Sequence, residues 1–96
     1  MQAAFDTFPK NISRQTLTRL REDLTRREAL LKTVVQRFEA RYGSSLEALE
    51  SRLERGEGQE HPDWEDSIEW RNAQDELQQT GLMKNILEWL LRSKMR

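Results

Sequence analysis

Between Thr16 and about Tyr42, apolar residues recur in steps of three and four: Leu17, Leu20, Leu24, Leu31, Val34 and Phe38, with Arg27 in the one expected slot that is not apolar. Steps averaging 3.5 residues put these side chains on one stripe of an α-helix, the seam of a helix that lies lengthwise along another. At 1.5 Å per residue the helix is roughly 40 Å long, more than a compact domain of this size needs. The seam therefore predicts a partner, either another protein or a second copy of the chain in a homodimer. Arg27 is expected to set the register of that contact or to pair with a carboxylate across it.

Composition points the same way. The chain has 96 residues, 35% apolar and 34% charged, enough for one domain with a lean core. A chain this small hides only about two-thirds of its unfolded surface when it folds alone, so its core is expected to be completed by association. It contains no cysteine, which excludes disulfides and thiolate chemistry and fits an intracellular setting. The run Trp89-Leu90-Leu91 is far too short to span a bilayer. MQAAFDTFPK has no basic region followed by an apolar stretch, so no secretory signal is expected there. The expectation is a cytoplasmic protein without membrane contact.

Helix signals divide the chain. Residues 1–12 are expected to be a flexible arm, since Pro9 blocks early helix formation. Ser13 or Thr16 can cap a long helix over 13–42, Arg37 and Arg41 suit its carbonyl end, and Gly43 supplies the left-handed residue that ends it. Ser44 and Glu47 have the spacing of a capping box for a short helix over 44–55, with Leu46, Leu49 and Leu53 on one face. Residues 56–62, Gly-Glu-Gly-Gln-Glu-His-Pro, read as a loop, and Asp63 as the cap of a helical region over 63–95. There, Trp70, Ala73 and Leu77 share a face, with Trp64 and Ile68 nearly opposite. Beyond Gly81, the residues Leu82, Ile86, Trp89 and Leu90 return to the Trp64 side. A single amphipathic helix does not change its wet side without a cause, so a break or kink is expected at Thr80-Gly81. The fold class is thus all-α: one domain over 1–96, with a long helix, a short helix, and one long kinked or two C-terminal helices. Such a helical hairpin or bundle would be completed by dimerisation.

Few residues suggest chemistry. His61 is the only histidine, and neither catalysis nor metal binding is expected from it without companions. Glu47 and Glu50, Asp63 and Asp66, and Asp66 and Glu69 are each three apart, the spacing by which paired helices hold magnesium. All-α nucleoside triphosphate pyrophosphatases use such pairs. The later Glu-x-x-Asp here, Glu60–Asp63, contains Pro62, which leaves a magnesium-dependent pyrophosphatase the least favoured alternative. No catalytic residue, metal or cofactor is expected.

Net charge is −1, but the charges are sorted into balances of +4 over residues 1–43, −8 over 44–83 and +3 over 84–96. Arg14, Arg19, Arg21, Arg26, Arg27, Arg37 and Arg41 collect on the long helix, so a small nucleic-acid-associated regulator or adaptor is a second alternative. Trp64 and Trp70 point in opposite directions, and one of them is expected at an intermolecular contact.

The block Phe38-Glu39-Ala40-Arg41-Tyr42-Gly43-Ser44-Ser45-Leu46-Glu47-Ala48-Leu49, followed by Gly56-Glu57 and an acidic stretch ending Glu69-Trp70, resembles small prokaryotic antitoxin-type proteins. Those share a long helix ending in Phe…Tyr-Gly, a capped short helix, a Gly-Glu loop and an acidic Glu-Trp helix. The resemblance covers about residues 30–77 and implies a partner class, a cognate toxin. Such proteins often begin with a β-strand that pairs in a DNA-binding dimer, a pattern MQAAFDTFPK does not carry. The reading is a non-enzymatic module that neutralises a toxin by occlusion. Tyr42, Trp64, Glu65, Asp66, Glu69 and Trp70 would cover a basic surface or active site.

Overall fold

The computed structural model describes residues 13–57 and 60–94; the expected arm over 1–12 lies outside the described residues. Regular structure among the described residues is entirely α-helical: α1 (Arg14–Tyr42), α2 (Leu46–Glu54) and α3 (Glu60–Lys94). Ser13 caps α1, its Oγ accepting from the Thr16 amide, and Gly43 ends it at φ 59° with its N–H bonded to the Glu39 carbonyl. Glycine occupies that left-handed position without the steric cost of a Cβ.

Two boundaries differ from the sequence expectation. The cap of α2 is Ser45, whose Oγ accepts from the Ala48 amide, while Ser44 Oγ turns to the Ser45 carbonyl. Glu47 thereby falls in the first turn rather than at the reciprocal capping-box position. Helix α3 begins at Glu60 rather than after Asp63. Pro62 sits in its first turn, where the missing N–H would have had no intrahelical partner.

Of the two C-terminal arrangements expected, one long helix forms, and it is unbroken across Thr80-Gly81. Thr80 does not cap a new helix. It is buried, and its hydroxyl donates to the Glu76 carbonyl one turn back. A Cβ placed on Gly81 would meet Glu28 Oε2 at 3.7 Å, so this turn of α3 lies against α1.

Helices α1 and α3 form an antiparallel hairpin. Tyr42 bonds to Asp63 and Asp66 at one end, Phe38 stacks on Trp70, and Glu28 meets Lys84 near the middle. The turned-in residues of α3 run Trp70, Ala73, Leu77, Thr80, Lys84, Leu87 and Leu91, steps of three and four throughout. The change of wet side inferred from hydropathy is therefore absent. Thr80 and Lys84 hold seam positions as polar residues, while Leu82, Ile86 and Trp89 stand exposed on the outer face.

The expected seam of α1 finds its partner in the same chain. Leu17 and Phe38 are buried, Leu31 and Val34 pack on the cluster containing Trp70 and Ala73, and Leu24 faces α3 across a groove with Leu17. Leu20 is left largely exposed. Arg27 lies outside the seam and pairs with Glu76 of α3. The charged seam position of α1 is instead Glu28, whose bond to Lys84 Nζ is 3.2 Å.

The core lies where all three helices meet. Val35, Phe38, Leu46, Leu49, Trp70 and Ala73 form one buried cluster, flanked by Leu31, Val34, Tyr42, Leu53 and Leu77. Among the described residues, the opposite half contains only α1 and α3. The molecule is a rod of 55 × 30 × 17 Å, as a 35-residue helix of roughly 52 Å requires. No described helix is long and apolar enough to cross a membrane.

Candidate protein-binding site

The six residues of the expected partner surface divide between interior and exterior. Trp70 is fully buried and stacks between Phe38 and Tyr42, with centroid separations of 5.7 and 6.0 Å. Its Nε1 meets no acceptor among the described residues. Tyr42 is half-buried, and its hydroxyl donates to Asp66 Oδ2 at 2.5 Å and to Asp63 Oδ1 at 3.2 Å. Arg41 donates to the same Asp66 oxygen at 2.8 Å. Burial, then the hydrogen bond and negative charge of Asp66 and those of Asp63, push the Tyr42 hydroxyl well above its ordinary value of 10.0. Tyr42, Asp66 and Trp70 thus tie α1 to α3 and are engaged within the fold.

Trp64, Glu65 and Glu69 are exposed. Trp64 is 55% exposed, one turn before Ile68 at 48%. Together with Leu53 of α2 they border a groove of about 370 Å³ whose walls also include Glu50, Glu54, Ser67, Arg71 and Asn72. Packing of the short α2 on α3 makes this groove. Leu46 and Leu49 go into the core, which leaves Leu53 at the groove and turns Glu47 and Glu50 toward Arg71.

Arg71 holds the two helices together, donating to both oxygens of Glu50 at 2.6 and 3.2 Å, with Glu47 Oε1 at 3.9 Å. Its bonds to Glu50 stabilise the charged guanidinium and raise its pKa further. The carboxylates spaced three apart on α2 are thus placed to pair with an arginine. Among the described residues no three metal-capable side chains are grouped to hold an ion. His61 lies in α3, and its side chain is outside the described residues.

Of the partner-surface residues named from sequence only Trp64 borders this groove; Glu65 and Glu69 are exposed on α3 but do not line it, and the wall from α2, namely Leu53, Glu50 and Glu54, was missed. The Glu47–Glu50 spacing drew attention to those side chains, but nothing local to them names Arg71, which is 21 residues beyond Glu50. The arginines of α1 do not form one free basic stripe. Arg26 pairs with Asp23, Arg27 with Glu76 and Arg41 with Asp66. Arg14 and Arg21 line a shallow groove with Arg92 and Glu88 at the far end of the rod.

Comparison of the chain with protein-family models, with curated proteins and with solved structures found no match.

Proposed function

We propose that this chain is a non-enzymatic protein-interaction module, antitoxin-like in kind, that holds a basic partner in the Trp64 groove and neutralises it by occlusion in the cytoplasm. One observation carries the reading: Trp64 stands open on an acidic-rimmed groove, while Trp70, six residues on, is sealed in the core. A large aromatic side chain with a polar handle, beside an apolar floor and ringed by charge, has the make-up of an interface hot spot. Glu50 and Arg71 neutralise one another in the wall, which leaves Glu54 as its net charge. The groove therefore suits an apolar side chain flanked by lysine or arginine. The −8 balance of residues 44–83 would steer such a partner and make the association rate salt-dependent. The resemblance of the central block to antitoxin-type proteins suggests a toxin as that partner.

The test is co-expression with the product of the adjacent reading frame, followed by titration of the purified pair. Trp64→Ala is expected to weaken the complex by about 2 kcal/mol or more and to leave the melting temperature nearly unchanged. Glu54→Gln with Glu69→Gln should slow association and flatten its salt dependence. A complex that both variants form with parental affinity and rate would place the contact elsewhere.

A further inference from the structure

The half of the rod that lacks α2 has an open apolar face. On α3, Leu82, Met83, Ile86 and Trp89 are each 57–59% exposed, and Leu20 of α1 is 44% exposed. Leu20 and Leu24 face Met83, Ile86 and Leu90 across an apolar groove of about 360 Å³, whose one charged wall residue, Asp23, is paired with Arg26. We propose that this face is where a second copy of the chain docks, about a twofold axis through Ile86. The surface is distinct from the Trp64 groove, and the proposal stands independently of the function argued above.

Three observations favour a second copy over other occupants. The first is area. The five exposed side chains leave roughly 500 Å² of apolar surface open, at the upper end for a monomer. With their neighbours they approach the ~800 Å² that each partner contributes to an interface of standard size. The second is charge. Among the exposed residues of α3 from Gln78 to Ser93, Arg92 alone is charged, in a chain that is 34% charged. A nucleic acid or a strongly charged protein would find little to hold on α3 there, whereas an identical face whose α3 surface is so sparsely charged meets little like-charge repulsion.

The third is spacing. Leu82 and Met83 precede Ile86 by four and three residues, and Trp89 and Leu90 follow it by three and four. The pattern is the same read in either direction, as an isologous contact between antiparallel helices requires. A twofold axis at Ile86 sets Leu82 opposite Leu90 of the second copy, and Met83 opposite its Trp89. Two-helix layers then stack into a four-helix section that supplies the cover α2 provides at the other end. This contact centres on the outer face of α3, with Leu20 of α1 at its margin, whereas Leu31, Val34 and Phe38 of the Leu17–Phe38 seam pack on the chain's own α3.

The absence of native cysteine permits a direct test on the full chain. Sedimentation equilibrium should give twice the chain mass for the unaltered protein, and Ile86→Glu should halve it while the helical circular dichroism is kept. Leu30→Glu, at an exposed leucine elsewhere on α1, should remain dimeric. Ile86→Cys should oxidise to a covalent dimer, because the axis brings position 86 to its own copy; Leu30→Cys should not. The crosslink serves even if Ile86→Glu fails to fold. A single-chain mass for the unaltered protein would overturn the proposal, whether residues 1–12 or a different protein covers the face. So would a dimer that survives Ile86→Glu in a folded variant, or one that does not crosslink through position 86.

Discussion

Tyr42 closes the junction of the helices with both parts of its side chain. Its ring stacks 6.0 Å from Trp70, and its hydroxyl donates to two carboxylates of α3. Those bonds require the proton, so the folded state holds it more tightly than the unfolded state does. The folded pKa is raised above the ordinary 10.0, so the contribution to stability is complete below pH 10.0 and is lost as pH rises beyond it. Tyr42 is the only tyrosine, and phenolate absorbance therefore reports it alone. The expected result is a phenolate transition displaced above 10 in the native protein, or one that coincides with loss of helical circular dichroism. Ionisation near 10 with the helices intact would show that the two aspartates do not hold the hydroxyl.

At the scale of the element, α1 and α3 match two 3.5-residue repeats along an antiparallel contact, but not with apolar residues alone. Near the middle, Glu28 and Lys84 face one another in a pair that is 19% and 24% exposed at its side chains, and Gly81 lies beside it. A polar pair at a seam position favours one register over its neighbours at some cost in stability. Gly81 carries a different cost, since glycine in a helix interior is worth about 0.5–1 kcal/mol less than alanine. The added Cβ would sit 3.7 Å from Glu28 Oε2, an ordinary contact. Gly81→Ala is therefore expected to stabilise the protein by about 0.5–1 kcal/mol, measured by urea denaturation. A loss of stability would show that α1 and α3 approach too closely at that turn to admit a methyl group.

Across the whole molecule, stability is unevenly distributed. One end has three helices around Trp70, with Leu46 and Leu49 from α2 fully enclosed. The other, among the described residues, has two helices and buries only Leu17 and Leu91 of its large apolar side chains. Local opening follows buried apolar contact. In the monomeric Ile86→Glu variant, amides of residues 34–38 and 67–77 should exchange with solvent at least tenfold more slowly than those of residues 17–24 and 82–90. In the unaltered chain the second group should gain protection as concentration rises, because association stabilises what it covers. Uniform protection along α3 in the variant would mean that the rod opens only as one unit.

Much of this architecture is written locally. The Ser13 cap, the left-handed stop at Gly43, the length of α1 and the opposite faces of Trp64 and Trp70 depend on contacts within a few residues, which a single strand of sequence carries. The one-residue shift of the cap to Ser45 and the start of α3 before Pro62 lie at the margin of that information, because neighbouring residues can serve either role. What covers the α1 seam is not local. Leu24 and Leu31 look the same whether they await a second chain or α3 of their own, and only the folded hairpin chose. The unbroken course of α3 was illegible for a related reason. Thr80 and Lys84 read as wet residues until burial places the threonine hydroxyl on the Glu76 carbonyl and the lysine on Glu28. The composition of the Trp64 groove was decided at the same stage, since Leu53, Glu50 and Glu54 reach it only through the packing of α2 on α3. Sequence determined the caps and stops of α1 and the existence of a helix on either side of α2; tertiary packing determined the unbroken course of α3, which faces were consumed and which remained open, because burial is a property of pairs of elements.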